Sequence, residues 1–343
     1  MKQIKNYKKV GVFKKLLIKL SRLGGYELID QANFSTPDNF KQDVNNLSLP
    51  GKKSITIPMG EVKIKRPVES LDVIVKTCTS VNLVTQNKKR IFEKDKFEYT
   101  LRSVFSLTKN LKKLREVFEK IKIKITIIDF NSKKEDLNKI EQILKTSGLN
   151  FEIINLNLND YPDIKTLNKN NETIESNMKS TMASILKSFD YAKENCDDLI
   201  YFVEDDYIHK NDCILEMIFS YEKFATIFNE DLFLLPVDYP YLYQKNEVSS
   251  ILLGNKSHWR SVKESLLTFM TSKKILNKHL NELTNMAKNE SEPFEQNLHK
   301  IYKQEICLSP VPSLAIHCTN VNSIFGLSPN INYKKIWDEN KPD

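Results

Sequence analysis

The chain has little of what several functional classes depend on. Its 343 residues include only 8 glycines, and of the phosphate-binding pattern GxxxxGK[ST] it carries only the fragment GNKS at 254–257. That pattern supplies the backbone N–H groups that cradle the phosphates in P-loop ATPases. A P-loop ATPase is therefore excluded, and the functional groups must sit on side chains.

Cysteine pairs and long apolar runs are also missing from the sequence. The 5 cysteines are an odd number without a CxxC pair or a zinc-type spacing, which favours reduced thiols in a cytoplasmic protein. No apolar run approaches the roughly 18–20 residues of a membrane span. Lysines interrupt the N-terminal apolar stretch, which is unlike a signal peptide. The sequence predicts a cytoplasmic location, with peripheral contact to the inner face of a membrane as an option.

Positive charge is concentrated at the N-terminus. The net charge is +8, and the 8 charged residues that precede Glu27 are all basic, so the remaining chain is balanced. A balanced body has no general attraction for a polyanion. We expect no nucleic-acid partner.

Residues 10–23 predict a cationic amphipathic helix. Phe13, Leu16 and Leu20 recur at helical spacing, and Lys15 and Lys19 lie on another face. Two interpretations stay open. The helix rests on an anionic membrane surface, or it packs on the protein through its leucine stripe.

A regular alternation of strands and helices begins near residue 71, after a small predicted hairpin formed by SITIP and EVKIKRPV. Apolar strands at 71–79, 124–130, 151–158 and 199–206 are separated by helices at about 94–118, 133–146 and 177–195. Strands that are apolar throughout and joined by helices are typical of a mostly parallel α/β sheet. Ligands of such sheets gather at the carboxyl ends of the strands.

The stretch LIYFVEDDYIH places three adjacent acids at the end of a buried strand. Glu204, Asp205 and Asp206 repel one another, and a divalent cation bound by oxygen ligands would offset that repulsion. Alternation along the strand directs Glu204 and Asp206 to one side and Asp205 to the other. The plain alternative is that the acids are solvated or cap the next helix, expected to begin near Asn211 or Asp212.

The pattern DLIYFVEDDYIH resembles glycosyltransferases of the GT-A fold, which close a central strand with a DxD motif, here as a family 2-like EDD variant. The resemblance implies a GT-A, Rossmann-like sheet flanked by helices, with the basic helix and hairpin in front. It implies Asp206 as a ligand of Mn²⁺ or Mg²⁺, with Glu204 and Asp205 near the ribose or bridged to the metal by water. It also implies a nucleotide-sugar donor and a glycan or glycolipid acceptor.

Other segments follow the family order over residues 70–320. On the nucleotide side, the resemblance implies a base-binding loop after the first strand and an aspartate at the end of the second. The helix before the metal strand adds polar residues at its start, for which capping is an equally good explanation. The expected nucleotide-sugar-binding residues, with the two acids above, are Thr77, Cys78, Thr79, Asp129, Asn177 and Lys179.

The second half of the sequence supplies expected acceptor, catalytic and metal residues. Trp259 and Arg260 suit a sugar ring and an anionic group. The acidic start of the helix in NESEPFEQNLHKIY suggests a general base for inversion, Glu292 first and Glu295 second, although acids are common in a first helical turn. His317 ends a late apolar strand, where the family often has another metal ligand.

The sequence thus predicts a metal-dependent glycosyltransferase with a UDP-linked donor. Two other classes remain: a metal-dependent nucleotidyl or phosphoryl transferase, and a non-catalytic, membrane-apposed protein that binds nucleotide sugars. The expected organisation is an N-terminal helix and connector (1–50), a GT-A domain (51–330) and a C-terminal tail (331–343). The domain divides into a nucleotide-sugar half (about 70–210) and an acceptor half (about 211–330).

Overall fold

The computed structural model describes residues 11–26, 28, 54–57, 60–80, 91–164, 176–245, 247–288, 295–318 and 324–342. Helix α1 (Val12–Leu23) comes first, followed by a hairpin of β1 (Ser54–Ile57) and β2 (Gly60–Lys63), which confirms the predicted helix and hairpin. Helix α1 buries none of its residues. The interpretation that its leucine stripe packs on the protein is therefore wrong.

A nine-stranded mixed sheet forms the centre of the described part, in the order β5-β4-β3-β6-β11-β8-β12-β10-β9. Strands β10 and β11 run opposite to the other strands, so most of the sheet is parallel, as predicted. The strands are β3 (Ser70–Thr77), β4 (Lys122–Asp129), β5 (Asn150–Asn155), β6 (Leu199–Glu204), β8 (Phe233–Leu234), β9 (Ile251–Leu253), β10 (His258–Ser261), β11 (Phe269–Ser272) and β12 (Cys307–Val311).

Helices cover both faces of this sheet, which explains the continuously apolar strands. Along β3, Val73 and Val75 lie in one core and Ile74 in the other. The first core includes residues of α2 (Lys96–Val117), α3 (Lys134–Ser147) and α5 (Cys213–Phe228). The second includes residues of α4 (Ser176–Asn195), α6 (Lys273–Lys278), α7 (Leu280–Lys288) and α8 (Gln296–Gln304).

A second, two-stranded sheet lies next to the acidic strand end. Strand β7 (Tyr207–His209) pairs antiparallel with β13 (Ala315–His317), and His317 is opposite Tyr207 in the register. Strand β7 thus separates Glu204–Asp206 from α5, and Asp212 is the residue that precedes α5. The three acids therefore do not cap α5.

The last helix, α9 (Tyr333–Glu339), returns to α2. The guanidinium carbon of Arg102 lies 4.2 Å from the centre of the Trp337 ring, and Arg102 also donates a hydrogen bond to the Trp337 carbonyl. None of the helices in the described ranges is both long and apolar enough to cross a membrane.

Candidate active site

The carboxyl ends of β3, β4 and β6 lie side by side at one edge of the sheet. The parallel register places Thr77 beside Asp129 and Lys76 beside Glu204. Side chains distant in sequence therefore meet at this edge, where ligands of parallel sheets bind.

Thr77 and Asp129 form a buried hydrogen bond between the ends of β3 and β4. The Thr77 hydroxyl donates to Asp129 Oδ1 at 2.7 Å, and the backbone N–H of Ser132 donates to Oδ2 at 3.1 Å. Both side chains are buried. Asp129 thus fixes the shape of the loop that follows β4.

Thr79 extends the same connection between loops. Its N–H donates to the Ser132 hydroxyl at 2.8 Å, and its own hydroxyl accepts from the Lys133 N–H at 3.2 Å. Thr79 is buried, whereas Cys78 between the two threonines is half-buried. Of these three predicted base-binding residues, Cys78 therefore has the most accessible side chain.

The first of the three acids, Glu204, is paired with a lysine. Its Oε1 lies 2.7 Å from Nζ of Lys76 on the neighbouring strand β3. The pair adjoins a small cavity lined also by Ile185, Ser188 and Phe189 of α4. Glu204 therefore points toward the α4 face of the sheet.

The middle acid, Asp205, points to the opposite face, against α2. Its Oδ1 lies 2.6 Å from Nζ of Lys96, and its Oδ2 accepts a hydrogen bond from the Thr100 hydroxyl at 2.8 Å. The Cys78 N–H donates to the same Oδ2 at 3.4 Å. Asp205 is buried among these partners. Asp205 therefore links the end of β6 to α2 and to the loop that follows β3, and its carboxylate is not exposed at the edge of the sheet.

The third acid, Asp206, lies beside His317. Its Oδ2 is 3.6 Å from His317 Nε2, and the Cys318 N–H donates to the Asp206 carbonyl at 2.8 Å. The His317 ring stacks on Tyr207 with 4.4 Å between ring centres and 13° between planes. The Tyr239 hydroxyl lies 3.4 Å from His317 Nδ1. These contacts hold the imidazole so that Nε2 faces the carboxylate.

The Asp206–His317 pair suits a divalent cation that takes its other ligands from substrate and water. No three His, Cys, Asp or Glu side chains within the described ranges form a metal-binding group. A cation about 2.1 Å from each of two ligand atoms bridges separations up to about 4.2 Å, which includes the observed distance. Magnesium is commonly held by one or two protein ligands together with phosphate oxygens. An imidazole among oxygen ligands suits Mn²⁺.

Glu295, just before α8, belongs to the same neighbourhood. Burial raises the pKa of its carboxyl, and the negative charge of Glu204 raises it further, while Lys76 and His317 act in the opposite direction. A carboxyl with a raised pKa suits proton transfer near neutral pH. Glu292, the first choice from sequence, lies outside the described residues.

Trp259 is a core residue. Its ring is fully buried, lies 6.2 Å from Phe224 between ring centres, and directs Nε1 to Oε1 of Glu216 at 3.4 Å. Gly254 lies so close to this ring that an added Cβ would be 2.4 Å from Nε1. The ring therefore presents no face to a sugar, and the expected sugar contact of Trp259 is wrong for this structure.

Arg260 points to a different environment from its neighbour Trp259. It forms a buried ion pair with Asp238, and its guanidinium carbon lies 4.2 Å from the Tyr243 ring centre. Tyr243 is half exposed and donates a hydrogen bond to Asp238. This cluster follows β8 and includes Tyr243 of the short 3₁₀ helix Pro240–Tyr243.

The remaining nucleotide candidates lie at the start of α4. Lys179 is half-buried in the first turn of that helix, and nothing is described of the Asn177 side chain. The structure does not bring either one into a described contact with the acidic strand end.

The sequence prediction missed four residues that shape the site: Lys76, Lys96, Tyr207 and Tyr239. Lys76 had a usable signal, because it is a single charge near the end of an apolar strand. Lys96, Tyr207 and Tyr239 had none, since each meets its partner only through tertiary structure. Two of the three acids, Glu204 and Asp205, are thus each neutralised by a lysine.

The chain was compared with known proteins. No family model matches it, and no curated protein is significantly similar in sequence. Among solved structures, S. aureus TarS 1–349 gives a TM-score of 0.39 at 12% identity, covering 70% of this chain and 57% of that one. UDP-glucose pyrophosphorylase complexed with UDP-glucose gives a TM-score of 0.39 at 7% identity, and the match covers 79% of this chain and 98% of that one. An active-site mutant of LgtC gives a TM-score of 0.34 at 11% identity, and the match covers 66% of this chain and 70% of that one.

These similarities are distant. The match spans only 57% of the TarS 1–349 chain, and only 35% of the chain in a second structure, of S. aureus TarS. With TM-scores this low, they assign neither a site nor an activity to the chain.

Proposed function

We propose that the protein is a metal-dependent glycosyltransferase that moves a sugar from a nucleotide sugar to a glycan or glycolipid acceptor. The observation that carries the proposal is the 3.6 Å approach of His317 Nε2 to Asp206 Oδ2 at the carboxyl edge of the sheet. It joins the last acid of the EDD motif to the late histidine through the β7–β13 pair.

Asp206 and His317 would hold Mn²⁺ or Mg²⁺ against the donor diphosphate. When bound, the cation neutralises charge that develops on the leaving nucleoside diphosphate. Glu204, paired with Lys76, keeps a carboxylate at the edge of this site. Asp205 acts indirectly, because it fixes the β3 loop through the Cys78 N–H.

The nucleotide would lie against the loops that follow β3 and β4. Thr77, Thr79 and Asp129 give these loops their shape, and the half-buried Cys78 is the candidate for direct contact with the base. The resemblance of the sequence to GT-A enzymes is the reason for proposing a UDP-linked donor and inversion at the anomeric carbon. Asn177 and Lys179 remain candidates for nucleotide contact at the start of α4.

Glu295 is the proposed general base. The proposal is supported by the electrostatic effects of Glu204, Lys76 and His317 on its carboxyl. The carboxylate would accept the proton of the acceptor hydroxyl as that oxygen attacks the anomeric carbon. Arg260, Asp238 and Tyr243 are the proposed acceptor-side residues, with Tyr243 exposing an aromatic ring.

The test combines donor binding with product analysis. A panel of nucleotide sugars is screened by thermal shift with and without Mn²⁺, because a bound donor raises the melting temperature by mass action. We expect a manganese-dependent rise that Asp206→Asn abolishes and that Asp338→Asn, an exposed aspartate on α9, retains.

The products then separate the three functional classes. A glycosyltransferase releases free nucleoside diphosphate, which we expect to require Glu295. Pyrophosphate or a phosphorylated product would instead show nucleotidyl or phosphoryl transfer. Donor binding without any turnover, unchanged by Glu295→Gln, would show a binding protein.

A further inference from the structure

Helix α1 exposes the whole of its apolar side. Val12 and Phe13 are 85% and 78% exposed, and none of the helix residues is buried. Beyond the helix, Tyr26 is 76% exposed. The other exposed apolar side chains here are Leu16, Leu17, Leu20, Leu23 and Leu28.

The exposed apolar residues form one continuous stripe. At about 100° per residue, the six from Val12 to Leu23 fall within an arc of about 140°. Ile18, one of the two least exposed residues of the helix, lies roughly opposite the middle of that arc. The apolar stripe is therefore exposed along its whole length.

Basic residues border the stripe. Viewed down the helix axis at about 100° per residue, Lys19 lies beside Val12 at one border of the stripe, with Lys15 next to Lys19. Lys14 lies beyond Leu17 at the other border. Helix α1 contains no acidic residue, and Arg22 adds a further positive charge. Long lysine side chains at such borders can hold their charges at a lipid headgroup while the apolar side enters the acyl region.

We propose that α1 binds in the interfacial plane of an anionic lipid bilayer. An anionic headgroup layer complements the basic border, whereas a second copy of this helix would place like charges together. The helix is about 18 Å long, which is too short to span a bilayer. This membrane contact is independent of the proposed catalytic site.

Vesicle co-sedimentation of the full chain tests the contact. We expect binding to phosphatidylglycerol vesicles, much weaker binding to phosphatidylcholine vesicles, and a loss of binding as salt is raised. The double variant Leu16→Ser with Leu20→Ser should bind at least tenfold more weakly, because two apolar side chains no longer leave water. Its melting temperature should not change, since both leucines are exposed.

Two matched controls make the test specific. Ile251→Ser with Leu253→Ser removes two exposed apolar side chains at the sheet edge, and Lys145→Glu with Lys274→Glu reverses two exposed charges elsewhere; both should bind like the unaltered protein. Lys15→Glu with Lys19→Glu should abolish binding. Equal binding to both kinds of vesicle, or unchanged binding of the Leu16 and Leu20 variant, would overturn the proposal. Self-association that needs these leucines, without vesicle binding, would point to a second copy instead.

Discussion

The Tyr239 hydroxyl contacts Nδ1 of the His317 imidazole, on the edge of the ring that points away from Asp206. Tyr239 Oη lies 3.4 Å from Nδ1, while Nε2 lies 3.6 Å from the aspartate. In the tautomer whose Nδ1–H donates to the Tyr239 oxygen, Nε2 carries no proton and is free to bind a cation. Tyr239 is thus a positioning residue for the proposed metal pair.

We predict that Tyr239→Phe weakens Mn²⁺ binding about tenfold, at the low end of such indirect effects because the contact is long. Isothermal titration calorimetry with Mn²⁺ measures this directly. Tyr241→Phe is the matched control, since the Tyr241 hydroxyl is buried without a hydrogen-bond partner in the described part of the chain. Equal affinities for the two variants would show that Tyr239 does not position His317.

Asp205 and Asp206 should differ in what their loss affects. We predict that Asp205→Ala lowers the free energy of unfolding by about 3 kcal/mol, because it leaves the ammonium of Lys96 without its buried carboxylate partner. Asp206→Ala should change that free energy by less than about 1 kcal/mol and remove Mn²⁺ binding instead. Urea unfolding and metal titration of both variants measure the two effects. The assignment fails if Asp205→Ala unfolds like the unaltered protein.

Glu295 should make the rate and the stability respond to pH in opposite directions. Burial raises the pKa of its carboxyl above the ordinary value, so the base becomes active only as pH rises through that raised pKa. Over the same interval the folded state binds more protons than the unfolded state, and stability falls as pH rises. We predict that Glu295→Gln abolishes turnover and is more stable than the unaltered protein at pH 8. A variant with normal turnover would exclude Glu295 as the base.

Glu222 should produce a second pH effect, far from catalysis. Burial raises the pKa of this α5 carboxyl to about 7, although the Val68 N–H donates to it at 2.8 Å. Its unfolded pKa is about 4.3, so stability is full below that value and falls by the order of 3 kcal/mol as pH rises to about 7. Glu222→Gln keeps an acceptor for Val68 and should be more stable at pH 8.

Unfolding by urea at pH 5 and pH 8 checks this prediction. The difference between the two pH values should shrink in Glu222→Gln, whereas Glu119→Gln, which alters another carboxyl of the same surface cavity, should retain it. An unchanged pH dependence in Glu222→Gln would mean that this carboxyl ionises freely in the folded protein.

The parallel half of the sheet was predictable because its strands are buried on both faces. The runs 73–75 and 199–203 are apolar without alternation, and helices of clear amphipathic spacing separate the strands. The short strands β8, β10 and β11 were harder. They have two to four residues each, which is too short for a period to be recognised.

The candidate site was predictable in outline but not in its pairings. Residue type and order along the chain indicated Asp206 and His317, which the structure brings together. The lysine partners of Glu204 and Asp205 depend on strand register and on the docking of α2, which the sequence pattern does not encode locally. Trp259 shows the reverse case. An aromatic residue next to an arginine predicted a sugar contact, but the Trp259 ring is buried and packs against Phe224, Glu216 and Gly254.

The pairing of β7 with β13 has a consequence for how the protein matures. Asp206 is synthesised with the parallel sheet, but its imidazole neighbour arrives only with one of the last strands. At a synthesis rate of about 5–20 residues per second, Asp206 would therefore wait several seconds for its imidazole neighbour, while strands β8 to β12 are still being made. The ability to bind a metal ion between Asp206 and His317 would be one of the last properties that the growing chain acquires.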